Sequence, residues 1–196
     1  MRTLLVTAFG AFPGAAFNPS AEVVRRLEGS ARAFARAGVR LRTGVLPVVH
    51  DIAPALEEIV AHTQPDAVLH IGVAAGRTRA SVETRARNRV SMLRPDARGR
   101  YPARATLAAG RAHTARTTWN ARRFVAALRR ERIQARLSVD AGDYVCNAVL
   151  WTSLRAFAIP TVFLHIPRAR RLAPARLATA LARILPGMTA TLNRDR

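Results

Sequence analysis

The sequence has no lysine, one cysteine and only 12 acidic residues in 196. A single cysteine excludes a disulfide framework and any cysteine-rich zinc module. No apolar run approaches the roughly 18–20 residues that a membrane-spanning helix needs. Gly and Pro, at 11 each, are too few for a collagen-like or low-complexity chain. The start, Met1-Arg2 followed by strand-like Thr3-Leu4-Leu5-Val6-Thr7, has no small-residue cleavage site and does not read as a signal peptide. A cytoplasmic protein is expected.

What is present is enough to fold. Apolar residues make up 49% of the chain and charged residues 22%, so a full core is within reach. One domain spanning 1–196 is expected. The 32 basic residues are all arginine, and the formal net charge is +20. A nucleic-acid-binding chain usually mixes Lys and Arg and gathers them on one face. An arginine-only, alanine-rich excess reads instead as compositional drift along the whole chain. Under either reading, salt-sensitive, non-specific binding to polyanions is expected.

Short apolar runs alternate with helical patterns, which predicts an α/β protein. Leu4–Phe9 reads as a buried strand, then come a turn-rich stretch over 10–19 and a helix over 21–37 that Ser20 would cap and Gly29 interrupt. Val39–Leu46 reads as a half-exposed strand. Asp51 would cap a helix whose Ile52, Ala55, Leu56, Ile59 and Val60 share one face. Ala67–Ile71 reads as a central strand. Residues 72–116 are the least regular, with a possible strand around 80–86. Then follow a helix capped by Asn120, a strand over Ala135–Val139, a helix over 143–157, a strand over Pro160–Leu164 and a last helix ending at Pro186-Gly187. This order predicts a three-layer α/β/α sandwich around a twisted, mostly parallel sheet. The site of such a fold lies beyond the carboxyl ends of its strands, which points to 9–19, 72–89, 140–147 and 165–170.

Cys146 stands where a strand gives way to a helix, in Asp140-Ala141-Gly142-Asp143-Tyr144-Val145-Cys146-Asn147. In a first helical turn, free N–H groups and the positive dipole end lower a thiol pKa. The competing reading is a buried cysteine packed as a small apolar residue. A nucleophilic cysteine needs a base. His165, followed by Ile166-Pro167, would emerge at a strand's carboxyl end, whereas His70 reads as core and His50, His62 and His113 lie on a helix end or in loops. An acid that orients the imidazole completes such a triad. Glu83 stands alone among arginines, and an ion pair at the surface is the competing reading. Asp143 reads as a helix cap and Asp140 as a strand-end residue. Gly72–Thr78 misses the P-loop spacing by one residue, and the histidines lack metal-ligand spacing.

Several short motifs, in order along the chain, resemble the pyroglutamyl-peptidase I family. They are Thr7-Ala8-Phe9-Gly10-Ala11-Phe12-Pro13-Gly14, Asn18-Pro19-Ser20, Leu46-Pro47-Val48, Gln64-Pro65-Asp66, Gly72–Arg77, the segment Glu83–Asn88, Ala141–Asn147 and His165-Ile166-Pro167. The resemblance implies a cysteine peptidase that removes N-terminal pyroglutamyl residues, with no cofactor and often a homotetramer. It implies Cys146 as nucleophile, His165 as general base and acid, and Glu83 as the orienting carboxylate. Phe9, Phe12, Tyr144 and Val145 would line the lactam pocket. Tyr144 stands where the family has Phe. In the loop Met92–Ala97 the family's arginine falls on Leu93, and Arg94, one place later, is the candidate for substrate contact. Residues 97–118 match poorly. Two alternatives stay open: the same fold acting on another small acyl group, and a non-catalytic, arginine-rich nucleic-acid-binding relative.

Overall fold

The computed structural model describes residues 1–12 and 16–192; Pro13 and Gly14 of the two-phenylalanine motif lie outside the described residues. Six strands form the main sheet: β1 (Arg2–Phe9), β2 (Val39–Leu46), β3 (Ala67–Val73), β4 (Ala80–Glu83), β7 (Ala135–Ser138) and β8 (Thr161–Ile166). Their order across the sheet is β2-β1-β3-β8-β4-β7. β2, β1, β3 and β8 run parallel to one another, β4 lies antiparallel to β8, and β7 runs parallel to β4. The sheet is therefore mostly parallel, as expected. Two short strands outside it, β5 (Arg85–Arg87) and β6 (Thr114–Arg116), pair antiparallel.

Side-chain alternation divides the core. Leu4, Val6 and Ala8 of β1 face one way, with Leu69, Ile71, Val162 and Leu164, and meet α1 (Pro19–Glu28), α2 (Ala31–Arg36), α4 (Ala121–Arg130) and α6 (Pro174–Ala190). Phe9 and Phe163 face the other way and meet α3 (Ala53–Thr63) and α5 (Val145–Ala156). Helices thus cover both faces, giving three layers. The central strands β1 and β3 are apolar on both sides because both sides are buried. β2 and β7 are the sheet's outer strands: β2 buries its ends, Val39 and Leu46, and exposes Arg40, Arg42 and Val45, and β7 buries Ala135 and exposes Arg136 and Leu137.

Three capping expectations are corrected. Asn18, not Ser20, caps α1: its Oδ1 accepts from the Ser20 N–H at 3.1 Å and the Ser20 hydroxyl at 2.8 Å, and its Nδ2 donates to the Gly10 carbonyl at 3.0 Å. Pro19 then sits in the first turn, where its missing N–H costs nothing. Asp51 stays exposed and Ile52 takes the cap position of α3 without a side-chain bond. Asp143 pairs with Arg89 at 3.0 Å instead of capping α5, whose cap residue is Tyr144. The last helix also runs through Pro186 to Ala190. Packing of Leu185 and Met188 carries it past a residue that breaks an unsupported helix. Residues 97–113 are irregular but tied down: Asn88 donates to the Ala108 carbonyl at 2.7 Å and accepts from its N–H at 2.9 Å.

His70 is the core histidine expected. It pairs with Thr7 across β1 and β3, Nδ1 lies 2.6 Å from the Thr7 hydroxyl, and Nε2 lies 2.9 Å from that of Ser153. Burial pushes its pKa from 6.5 down to about 3. The unfolded imidazole takes up a proton below about 6.5 and the folded one does not. Stability should therefore fall as pH drops from about 6.5 toward 3, by up to roughly 1.4 kcal/mol per pH unit. Urea midpoints at neutral and acid pH check this; His70→Gln should flatten the slope, and an equal slope in wild type and variant would refute it.

Candidate active site

The reversed direction of β4 builds the acid–base pair. Ser81 pairs with His165 and Glu83 with Phe163, so Glu83 and His165 are diagonal neighbours on one face of the sheet. Glu83 is fully buried and His165 is 4% exposed. The Nδ1 of His165 lies 2.8 Å from Glu83 Oε1. A carboxylate only accepts, so Nδ1 carries the proton in this contact and Nε2 keeps its lone pair. The Phe163 ring packs beside the imidazole, with centroids 4.6 Å apart.

Arg77 supplies the charge that Glu83 needs. Its Nη1 meets the same Oε1 at 2.5 Å, and its Nη2 donates to the Asp140 carbonyl at 2.6 Å. The ion pair that was the competing reading for Glu83 is thus real, but it is formed with Arg77 on a fully buried carboxylate rather than at the surface, and it coexists with the imidazole contact. In the sequence Arg77 is marked only as the last residue of the Gly72–Arg77 motif.

Cys146 is the second residue of α5, which begins after Gly142 (φ 82°), a left-handed position suited to glycine. Asn147 locks that first turn to β5. Its Oδ1 accepts from Arg87 N–H at 2.8 Å, and its Nδ2 donates to the carbonyls of Arg87 at 2.8 Å and Arg89 at 2.9 Å. The Cys146 sulfur lies over Gly72, the β3 residue paired with His165. A β-carbon at Gly72 would stand 3.0 Å from Sγ and 2.7 Å from the Phe163 ring. Only glycine lets α5 come this close to the sheet.

Cys146 and His165 open on one cavity of about 820 Å³, walled also by Phe12, Arg77, Arg94 and Tyr144. It lies at the carboxyl ends of β3 and β8, where the fold predicted a site. Two candidate wall residues are corrected. Phe9 and Val145 are 3% and 1% exposed and do not line the cavity. Both point into the core layer beneath α3 and α5, Phe9 against Phe163 at 6.2 Å between centroids. Leu93, where the family's arginine falls, is 88% exposed, whereas Arg94 reaches the cavity wall.

The loop that carries Arg94 is braced from behind. Tyr144 donates its hydroxyl to the Pro95 carbonyl at 2.8 Å, and His50 Nε2 meets the Arg94 carbonyl at 2.9 Å. Asp96 is buried. Burial opposes its charge, but backbone N–H groups of Arg100, Arg98 and His50 outweigh it and hold the carboxyl below its ordinary range. Neither Asp96 nor His50 carried a signal in the sequence, because their partners are backbone groups brought together by the loop.

The electrostatics differ from the expectation for a helix-start thiol. Burial pushes the Cys146 thiol from 9.0 up to about 12, with the Glu83 charge adding to it; the residue's own N–H and Arg77 pull the other way and lose. Burial also pushes His165 down, against the pull of Glu83. The resting pair is therefore a neutral thiol and a neutral imidazole on the wall of one cavity. Among the described residues, no group of His, Cys, Asp and Glu is arranged to hold a metal ion.

The family model for pyroglutamyl peptidase matches residues 2–188. A pyrrolidone-carboxylate peptidase of Thermococcus onnurineus is 34% identical over 170 residues, covering 84% of this chain and 82% of that protein. The pyrrolidone carboxyl peptidase structure from Thermus thermophilus is 30% identical with a TM-score of 0.83, over 93% of this chain and 98% of that one. Pyroglutamyl peptidase I of Bacillus amyloliquefaciens is 26% identical with a TM-score of 0.87, over 98% of both chains.

Two measurements check the geometry. Gly72→Ala should destabilise the fold by about 1–3 kcal/mol through overpacking and displace Cys146 from its seat; an unchanged urea midpoint would contradict the close approach. Alkylation of Cys146 by iodoacetamide should rise about tenfold per pH unit between pH 7 and 9, because the thiolate fraction still grows there. A rate already level at pH 7 would mean a preformed thiolate.

Proposed function

The chain belongs to the pyroglutamyl peptidase family, and on that footing we propose that it is a cysteine peptidase releasing N-terminal pyroglutamyl residues from peptides through Cys146, His165 and Glu83. The observation that carries this reading is the His165–Glu83 contact of 2.8 Å on the wall of a cavity shared with the Cys146 thiol.

The physical steps follow from the neutral resting pair. The pyroglutamyl ring is flat, small and uncharged, and it suits a pocket with aromatic walls such as Phe12 and Tyr144. As the scissile carbonyl approaches, the Cys146 proton passes to His165 Nε2 while sulfur bonds to the acyl carbon. The imidazolium so formed is stabilised by Glu83 at Nδ1. The carbonyl oxygen gains negative charge against N–H groups of the uncapped first turn of α5. His165 then gives its proton to the leaving amine as the carbon–nitrogen bond breaks, leaving a thioester. Water, deprotonated by His165, attacks the thioester; pyroglutamate leaves and the thiol recovers its proton. Arg77 acts on this chemistry through Glu83, holding its carboxylate in place.

Purified protein should release the reporter group from a pyroglutamyl–aminocoumarin conjugate under reducing conditions. Cys146→Ala should abolish release, and Glu83→Gln should lower kcat by about 10²–10⁴-fold through lost orientation of His165. A wild-type protein inert on pyroglutamyl substrates but active on another small acyl amide, with the same loss on Cys146→Ala, would move the function to that acyl group. The acid limb of kcat/KM should fall below the ordinary histidine value of 6.5, since burial lowers His165 and only the neutral ring accepts the thiol proton. An acid limb above 6.5 would contradict the neutral pair.

A further inference from the structure

A second cavity, of about 400 Å³, adjoins segments that leave the candidate active site: Thr78–Ala80 follow Arg77, and Pro167 follows His165 by two residues. Five of its eleven lining residues are arginine: Arg79, Arg132, Arg170, Arg171 and Arg176. All five are exposed, and they crowd this one concavity although the chain carries 32 basic residues in 196. No carboxylate lines the cavity. Among the described residues, Arg176 alone of the five guanidinium groups has a hydrogen-bond partner, the Arg132 carbonyl at 2.7 Å, which leaves its charge uncompensated.

Two features add to the positive field, and a third singles out Arg132. The N-terminus of α6, a helix of 17 residues whose cap residue Ala173 makes no side-chain bond, borders the cavity through Leu172 and Arg176. A neighbouring cavity of about 330 Å³ shares Arg79 and Arg132 and adds Arg129. Arg132 itself sits at φ 58°, a left-handed position just past α4 that usually takes glycine or asparagine. The chain keeps a long cation at a position where its backbone prefers a small residue.

We propose that this cavity binds a small, multiply charged oligophosphate anion. Guanidinium forks fit phosphate oxygens two at a time, and clustered like charges become favourable neighbours once a polyanion lies between them. The volume suits a phosphate chain of a few units rather than a stretch of polymer. Thr78 and Gln134 offer neutral donors at the same wall.

Calorimetric titration of the full chain with tripolyphosphate, in about 0.15 M NaCl to screen weak surface attraction, tests this. Saturable binding of one tripolyphosphate per chain is expected. Arg170→Gln/Arg171→Gln should weaken it at least about tenfold, the cost of two charge-assisted contacts. Arg40→Gln/Arg42→Gln removes the same charge from exposed positions on β2 and should change affinity less than about twofold. Arg132→Gly should weaken binding and raise the melting temperature together, because glycine relieves the left-handed backbone. Competition by adenosine triphosphate would name a nucleotide as a source of the anion; no competition would restrict the site to free oligophosphate. Equal losses in the two double variants, several anions per chain, or single-stranded RNA binding weakened alike by both would overturn the proposal in favour of diffuse charge.

Discussion

One carboxylate oxygen, Oε1 of Glu83, gathers the candidate active site around itself. A buried charge costs several kcal/mol unless partners replace its water. Here His165 and Arg77 both approach that oxygen, and Arg77 reaches on to the Asp140 carbonyl. Three separate pieces of chain are thereby fixed to each other: the loop after β3, the end of β8 and the segment that leads into α5. The second oxygen, Oε2, has no hydrogen-bond partner among the described residues. The whole arrangement therefore rests on one strongly engaged atom, and a change at any partner is felt at the other two.

The sheet explains why such a cluster is possible. In an all-parallel sheet the neighbour of β8 would present its own carboxyl end beside His165. β4 runs the other way, so a residue at its far end, Glu83, reaches back diagonally to the imidazole through the layer that also holds Phe163. Gly72 leaves the opening through which α5 brings sulfur to the same layer. The acid arrives from within the sheet and the thiol from the helix above it, so neither depends on a mobile loop.

The fold was largely legible in the sequence because its signals are periodic. The apolar runs of β1, β3 and β8, the Asn120 cap and the break at Gly29 all stand where hydrophobic period and capping chemistry put them. The misreadings share a cause. Ser20, Asp51 and Asp143 are each good capping residues by type, but tertiary contacts claimed Ser20 and Asp143: Ser20 as a buried link to the Phe9 N–H, Asp143 as an ion pair with Arg89. The three residues proposed to react stand out through scarcity and position. Arg77 does not, because one arginine among 32 basic residues carries no mark. Phe9 and Val145 show the limit of motif reading: neighbours of a site in sequence can be its foundation rather than its wall. The lowered thiol expected at a helix start was overturned by burial, a quantity no local pattern records.

The two outer strands carry a final consequence. β2 turns Arg40 and Arg42 to solvent, and β7 turns out Arg136. An open sheet margin exposes unpaired backbone donors and acceptors that can recruit a like strand from another molecule. Guanidinium groups on both margins, two on β2 and one on β7, make such stacking mutually repulsive. Because guanidinium stays protonated far above neutral pH, that repulsion does not fade with ordinary changes of pH.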